Sequence, residues 1–270
     1  QRAEDYLLLA ETPTNRLTVQ LARGRLWIDT GQWEAAAASL KMLYSHDKKQ
    51  PVIAELLLQV LLKLQVWPEL MQMLPLLIKT LALGNYDSLI KDACQHSLQW
   101  LAQTGNRVDK IATLKRLHDF WATLPAFVQH DADIIQSYAQ AAVTIGFDEE
   151  AEELVRLTLN HEWHNGLVEL YGRIRSSQPD RSLQTALDWL KKRPQSPVLL
   201  LTLGRLSLQN RQWDDAKAYF EQSLTLHKNT ETYAEFVRLL QHLNDPEAGH
   251  YLIAGLNQLV SKPLPNLPLP

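Results

Sequence analysis

Two stretches of the chain nearly repeat each other. Residues 24–40 read GRLWIDTGQWEAAAASL and residues 204–220 read GRLSLQNRQWDDAKAYF, identical at Gly, Arg, Leu, Gln, Trp and two Ala, which is 7 of 17 positions. Trp33 and Trp67 stand 34 residues apart. A unit of that length with apolar residues at helical spacing makes a helix pair that buries its apolar face only by stacking on neighbours. This predicts an all-α chain. Leucine supplies 51 of the 270 residues and glycine only 10, a bias towards unbranched helix formers. A doubly wound α/β fold would want more glycine and runs of Val and Ile.

Charge and cysteine content exclude several functions. Lys plus Arg is 27 and Asp plus Glu is 30, a net charge of −3, so no basic excess is available to neutralise a phosphate backbone. Nucleic acid is therefore not an expected partner. Cys94 is the only cysteine, which rules out an internal disulfide and a multi-cysteine zinc site. The longest stretches without Asp, Glu, Lys or Arg are 93–106, 134–147 and 248–261, each 14 residues. A membrane-spanning helix needs about 20 apolar residues. The chain opens without Met and already in helical composition, and is read as a piece of a longer protein.

Thirty-four residues is the tetratricopeptide (TPR) period. In the repeat that begins at Pro197, Leu200, Leu203 and Gly204 fall at the pattern's first-helix positions, and Ala216, Phe220 and Ser223 at its second-helix positions. Ser207 and Lys228 depart from it, replacing the aromatic and the closing proline. Further repeats begin at Leu17 (Gly24, Trp27, Gly31, Ala36, Leu40), Pro51, Ala132 and near Thr230, the last carrying Phe236, Leu240, Leu243 and Gly249. Between them, 86–103 with 107–123 and 164–175 with 181–193 read as irregular pairs, with Asp180 a candidate helix cap. The expectation is fourteen or fifteen helices in antiparallel pairs, a TPR-like α-solenoid wound into a right-handed superhelix over residues 1–262. Residues 263–270, PLPNLPLP, cannot be helical and are expected to be a disordered tail. Residues 1–10 read as the second helix of a repeat whose first helix is missing.

Segment 51–79, PVIAELLLQVLLKLQVWPELMQMLPLLIK, resembles the W-x-x-L-x-x-x-[LI]-P-x-[LM]-x-K pattern of the bacterial HemY family through Trp67, Leu70, Leu74, Pro75, Leu77 and Lys79. Segment 197–224 resembles that family's L-x-x-x-L-G-x-L followed by W-x-x-A-x-x-x-[FL], through Leu199, Leu203, Gly204, Leu206, Trp213, Ala216 and Phe220. The resemblance implies the C-terminal TPR domain of a protoheme IX biogenesis protein. It also implies a parent anchored in the bacterial inner membrane by an N-terminal part absent here, with this domain on the cytoplasmic side. The partners implied are late haem-pathway enzymes, such as ferrochelatase or a protoporphyrinogen-oxidising enzyme.

No catalytic constellation emerges. His161 and His164 are at i and i+3 where one helix ends and the next begins, a spacing that suits a polar turn better than a metal or haem ligand pair. Cys94 and His96 are two apart and diverge on a helix. No Gly-rich phosphate loop occurs. The acid pairs Glu149-Glu150 and Asp214-Asp215 open second helices, where they suit the helix dipole. The expectation is a non-catalytic scaffold without cofactor or metal. A general TPR adaptor unrelated to haem is the alternative, and a direct haem or porphyrin carrier rests on the scattered histidines alone. The working surface is placed on the first helices, where Arg25 and Arg205 follow Gly24 and Gly204, with Arg173 and Arg175 extending a basic strip for partner carboxylates. The opposing expectation is that these arginines pair with acids on neighbouring repeats.

Overall fold

The computed structural model describes residues 15–81, 86–105 and 109–260, together with 6, 9, 10 and 12. The proline-rich stretch 263–270 and most of 1–10 lie outside the described residues, although Tyr6 and Leu9 are described and exposed. No described residue lies in a strand, and fifteen helices have described bounds. The chain divides into two compact units, Gln1–Gly146 and Phe147–Pro270. None of the described helices is long and apolar enough to cross a membrane.

The first unit holds α1 (Arg16–Asp29), α2 (Trp33–His46), α3 (Pro51–Leu64), α4 (Trp67–Leu81), α5 (Asp87–Gly105), α6 (Lys110–Thr123), α7 (Ala126–Gln129) and α8 (Ala132–Ile145). Successive helices α1 to α4 pack on one another, and α5 packs on α8. The largest of its fully buried side chains are aliphatic, Leu40, Ile53, Leu57, Leu58, Leu61, Leu70, Leu74 and Leu77 among them, with the buried Tyr44, Phe120 and Tyr138 packed in the same unit. Each such leucine stabilises the stack by about 1.5–3 kcal/mol relative to its exposed state. The HemY-like segment supplies much of this core, with Leu70, Leu74 and Leu77 inside and Pro75 within α4.

The second unit holds α9 (Asp148–His161), α10 (Asn165–Tyr171), α11 (Pro179–Lys192), α12 (Pro197–Gln209), α13 (Trp213–Leu226), α14 (Thr230–His242) and α15 (Ala248–Asn257). Here the core is aromatic as well as aliphatic. The Phe220 and Phe236 rings lie 6.1 Å apart, and Tyr251 meets Phe236 edge-on at 4.5 Å.

One turn recurs between helices. Gly31, Gln65, Gly146, Arg211 and Asn244 all take a left-handed backbone, stopping a helix shortly before the next begins. The sequence offers glycine at two of these five, and the others bear a cost of about 1 kcal/mol each. Pro51, Pro179 and Pro197 start helices, where the missing amide donor is harmless. Side chains of Asp109, Asp131, Ser196 and Asn229 cap α6, α8, α12 and α14. Asp180 does not cap α11. Pro179 takes the first helical position, so the cap falls on Gln178 and Asp180 lies within the first turn.

The recurrent tryptophans explain themselves in this frame. Trp33, Trp67 and Trp213 each open a second helix. Each ring then lies against a side chain of the following first helix. Lys63 Nζ sits 5.8 Å from the Trp33 ring centre, the His96 ring stacks on Trp67 at 5.8 Å, and His242 meets Trp213 at 5.3 Å. These are joints between repeats. Gly24, Ala36, Gly204 and Ala216 are buried at the matching close approaches. In the last repeat the close approach falls at Gly255, where a Cβ would lie 2.9 Å from Tyr233 Cβ, whereas Gly249 faces open space. This TPR-type packing of helix pairs is what the repeat spacing implies.

Candidate functional site

Three of the four arginines singled out in the sequence come together in the second unit. Arg173, Arg175 and Arg205 line one hollow of about 310 Å³ with Gly172, Gln209 and Glu235, and Arg238 of α14 joins them. Arg25 lies elsewhere, exposed on α1 and lining an open hollow of the first unit.

The short loop after α10 carries Arg173 and Arg175, and it is held from two sides. Gln209 Nε2 of α12 donates to the carbonyls of Gly172 at 3.3 Å and Ile174 at 3.1 Å. From α9, Asp148 accepts the Arg175 amide at 3.1 Å and Glu149 accepts the Ser177 amide. The acids that open α9 therefore also anchor this loop. The Ser177 amide, and then its hydroxyl, hold the Glu149 carboxyl below its usual range. Gly172 lets the loop close onto α12, since a Cβ there would meet Thr202 Cα at 3.0 Å and Arg205 Cδ at 3.3 Å.

Arg205 is not the open groove residue that its repeat position suggests. Its side chain is 6% exposed and pairs with Glu231 and Glu235 of α14. The sequence shows Arg205 on its own helix, while these partners lie 26 and 30 residues further on, one repeat away. Glu231 also receives Arg173, which in turn pairs with Glu169, and Glu235 also receives Arg238. Burial pushes the Glu231 carboxyl up, but Arg205 and Arg173 outweigh it and hold the group below the ordinary glutamate value. Arg205 Nη1 is buried without a hydrogen-bond partner among the described residues. The Arg175 side chain is exposed and makes no hydrogen bond or ion pair among the described residues.

The resulting array cross-links three guanidiniums and three carboxylates around a buried Arg205, with the fourth guanidinium, of Arg175, standing beside it. Its chemical capability is to accept an anionic group: Arg175 presents an uncommitted planar fork at the rim, and Arg173 stands beside it half-exposed. Arg205 fixes the geometry from below. Arg238 was not singled out in the sequence. Its one local signal is its place three residues after Glu235 on the same helix face.

Other candidates fall where no chemistry gathers. His161 ends α9 and His164 precedes α10. Among the described residues no group of three or more His, Cys, Asp or Glu could hold a metal ion. Cys94 is buried, and that burial followed by the nearby Asp131 charge pushes its thiol up to about 12.

No family model matches the chain. Protein HemY of Escherichia coli strain K12 is 18% identical over 232 residues, covering 86% of this chain and 57% of the relative. HemY of Shigella flexneri gives the same figures. The chain thus spans little more than half the length of these curated relatives. Among solved structures, Pseudomonas aeruginosa PilF aligns over 95% of this chain and 93% of its own, at 14% identity and a TM-score of 0.35. PilW, a type IV pilus biogenesis factor, aligns over 92% and 94% at 11% identity and a TM-score of 0.40. Cut9–Hcn1 of the APC/C aligns over 95% of this chain and 48% of its own, at 15% identity and a TM-score of 0.43. The chain is an all-helical repeat protein of TPR type, similar to HemY over most of its length, as segments 51–79 and 197–224 imply.

Proposed function

We propose that the chain is a non-catalytic scaffold of a late step in haem biosynthesis, holding a pathway enzyme through the arginine hollow of its second unit. Ferrochelatase and a protoporphyrinogen-oxidising enzyme are the partners favoured. The haem context rests on the HemY resemblance. The observation that carries the binding role is the pre-shaped hollow itself, where a loop pinned by Gln209, Asp148 and Glu149 presents Arg173 and Arg175 over a buried Arg205. A loop fixed in advance loses little conformational freedom when a partner carboxylate arrives. Arg25, exposed on α1, is a second proposed contact for the same partner.

In the parent protein this domain would stand on the cytoplasmic side of the bacterial inner membrane, close to enzymes that handle a membrane-soluble porphyrin. Co-purification tests the reading. The membrane-anchored parent should retain ferrochelatase or the oxidising enzyme, and Arg173→Glu with Arg175→Glu should release it. Retention of unrelated proteins through the same arginines would instead make the chain a general adaptor. A Soret band on haemin titration, lost on changing His161 and His164, would make it a porphyrin carrier.

A further inference from the structure

Helix α15 of the second unit is apolar on both sides. It carries no Asp, Glu, Lys or Arg. Tyr251 and Ala254 pack inward on the core around Phe220 and Phe236, while Leu252, Ile253 and Leu256 stand exposed on the outer side. Leu259 and Val260 extend that exposed apolar side past the helix end. A surface helix ordinarily turns a charged face to water, and one that is apolar all round is one that something covers. Monomers seldom leave a large patch of this kind bare. Among the described residues no helix follows α15 to cover it.

The exposed side borders a groove of about 320 Å³ between α14 and α15. Leu252, Leu256 and Leu259 line it from α15, and Tyr233 and Tyr251 give it two aromatic rings. Arg238 and Gln241 supply side-chain N–H donors. From Val260 the chain continues as SKPLPNLPLP, four of whose ten residues are proline. That content favours an extended polyproline helix with three residues per turn, which puts Leu264 and Leu267 on one side, about 9 Å apart. Leu252 and Leu259 are seven residues apart along α15 and its last turn, about 10 Å. The two leucine pairs are therefore nearly in step. The prolines lack amide hydrogens, so the segment brings mainly carbonyl acceptors, which the Arg238 and Gln241 donors match. Residues 261–263 span about 10 Å when extended, enough to turn into the groove that Leu259 already lines.

We infer that residues 261–270 turn back as a polyproline strap and seat Leu264 and Leu267 in the α14–α15 groove. A tethered segment acts at a millimolar effective concentration, whereas a second copy of the chain must be recruited from solution. A proline-rich segment is also preformed, so it loses little conformational freedom on docking against aromatic rings. The strap covers the last repeat where a further helix would otherwise stack, and the inference goes beyond the haem reading.

Hydrogen–deuterium exchange of the whole chain, read by mass spectrometry, tests it. Leu264→Ser with Leu267→Ser should speed exchange of the α15 amides at least about threefold, and should raise the fluorescence of the apolar dye ANS. Leu269 falls on another side of the polyproline turn, so Leu269→Ser should match the unaltered chain in both measurements. Protection of α15 in the unaltered chain should not change on dilution. Equal exchange and dye binding in the unaltered chain and the double variant would overturn the inference. So would a Leu269→Ser effect as large as that of the double variant. Protection lost on dilution, with a dimer seen by light scattering, would also overturn it and assign the face to a second copy.

Discussion

Gly204 and Gly24 occupy one repeat position, yet alanine should act oppositely at the two. At Gly204 a Cβ would lie 2.4, 2.6 and 2.8 Å from three ring atoms of Phe220. That ring is fully buried and backed by Phe236, so it cannot swing aside. Overpacking of this kind costs about 1–3 kcal/mol. Replacing a mid-helix glycine by alanine returns about 1 kcal/mol through helix propensity. The clash has three close contacts on a rigid group, which places it at the upper end, so Gly204→Ala should lose about 1–2 kcal/mol net. At Gly24 the nearest atom is Leu40 Cδ2 at 3.3 Å, the far end of a side chain that can shift by a few tenths of an ångström. There propensity wins, and Gly24→Ala should be neutral or gain up to about 1 kcal/mol. Equilibrium urea unfolding followed by far-UV circular dichroism measures both. A Gly204→Ala protein as stable as the parent, or a Gly24→Ala protein that loses more, would refute the assignment of these glycines to the helix crossings.

The arginine network and the buried thiol lead to three further expected outcomes. Arg205→Met keeps the stem and removes the charge, and should cost about 1–3 kcal/mol in unfolding free energy, less than for a fully buried pair because its glutamates reach solvent; an unchanged urea midpoint would count against the network. Because the folded Glu231 carboxyl lies below its ordinary value, the unfolded chain binds the proton more readily; its contribution is present above the unfolded value and lost as pH falls through the folded one. A plot of stability against pH should accordingly fall on the acid side, and Glu231→Gln should flatten that fall. Cys94, buried with its thiol pushed up to about 12, should resist a thiol reagent at mildly alkaline pH until the first unit opens, and prompt labelling of the native protein would contradict its burial.

The helix pairs were legible because their signals are local. Pro51 and Pro197 open first helices, Trp33, Trp67 and Trp213 open second helices, and the small residues Gly24 with Ala36 and Gly204 with Ala216 fall at matching positions of their repeats. Where the repeat is irregular, local signals gave out. Proline at 125 ends α6 as its position implies, but the single turn α7 that follows has no periodic pattern to reveal it. Helix α10 stops at Tyr171, shorter than the stretch 164–175 suggests, and Gly172 just beyond it packs so close to Thr202 and Arg205 that a Cβ would crowd them, a non-local contact the local pattern does not carry.

The candidate site was legible in composition and not in arrangement. Arg173, Arg175 and Arg205 do converge, but burial of Arg205 depends on Glu231 and Glu235 arriving from the next repeat, a non-local pairing no spacing rule supplies. Arg25 shares the repeat position of Arg205 and stays exposed. Equivalent positions in a repeat share backbone geometry, while their partners are set by whichever helix packs next.

The most direct test is the binding of purified ferrochelatase to the immobilised full-length parent, compared between the parent and its Arg173→Glu, Arg175→Glu variant. Both arginines are exposed, so the helices should survive the change, as circular dichroism would verify. The account predicts saturable binding that weakens with salt and falls at least about tenfold in the variant. Equal binding by the two proteins would contradict the role given to the arginine hollow.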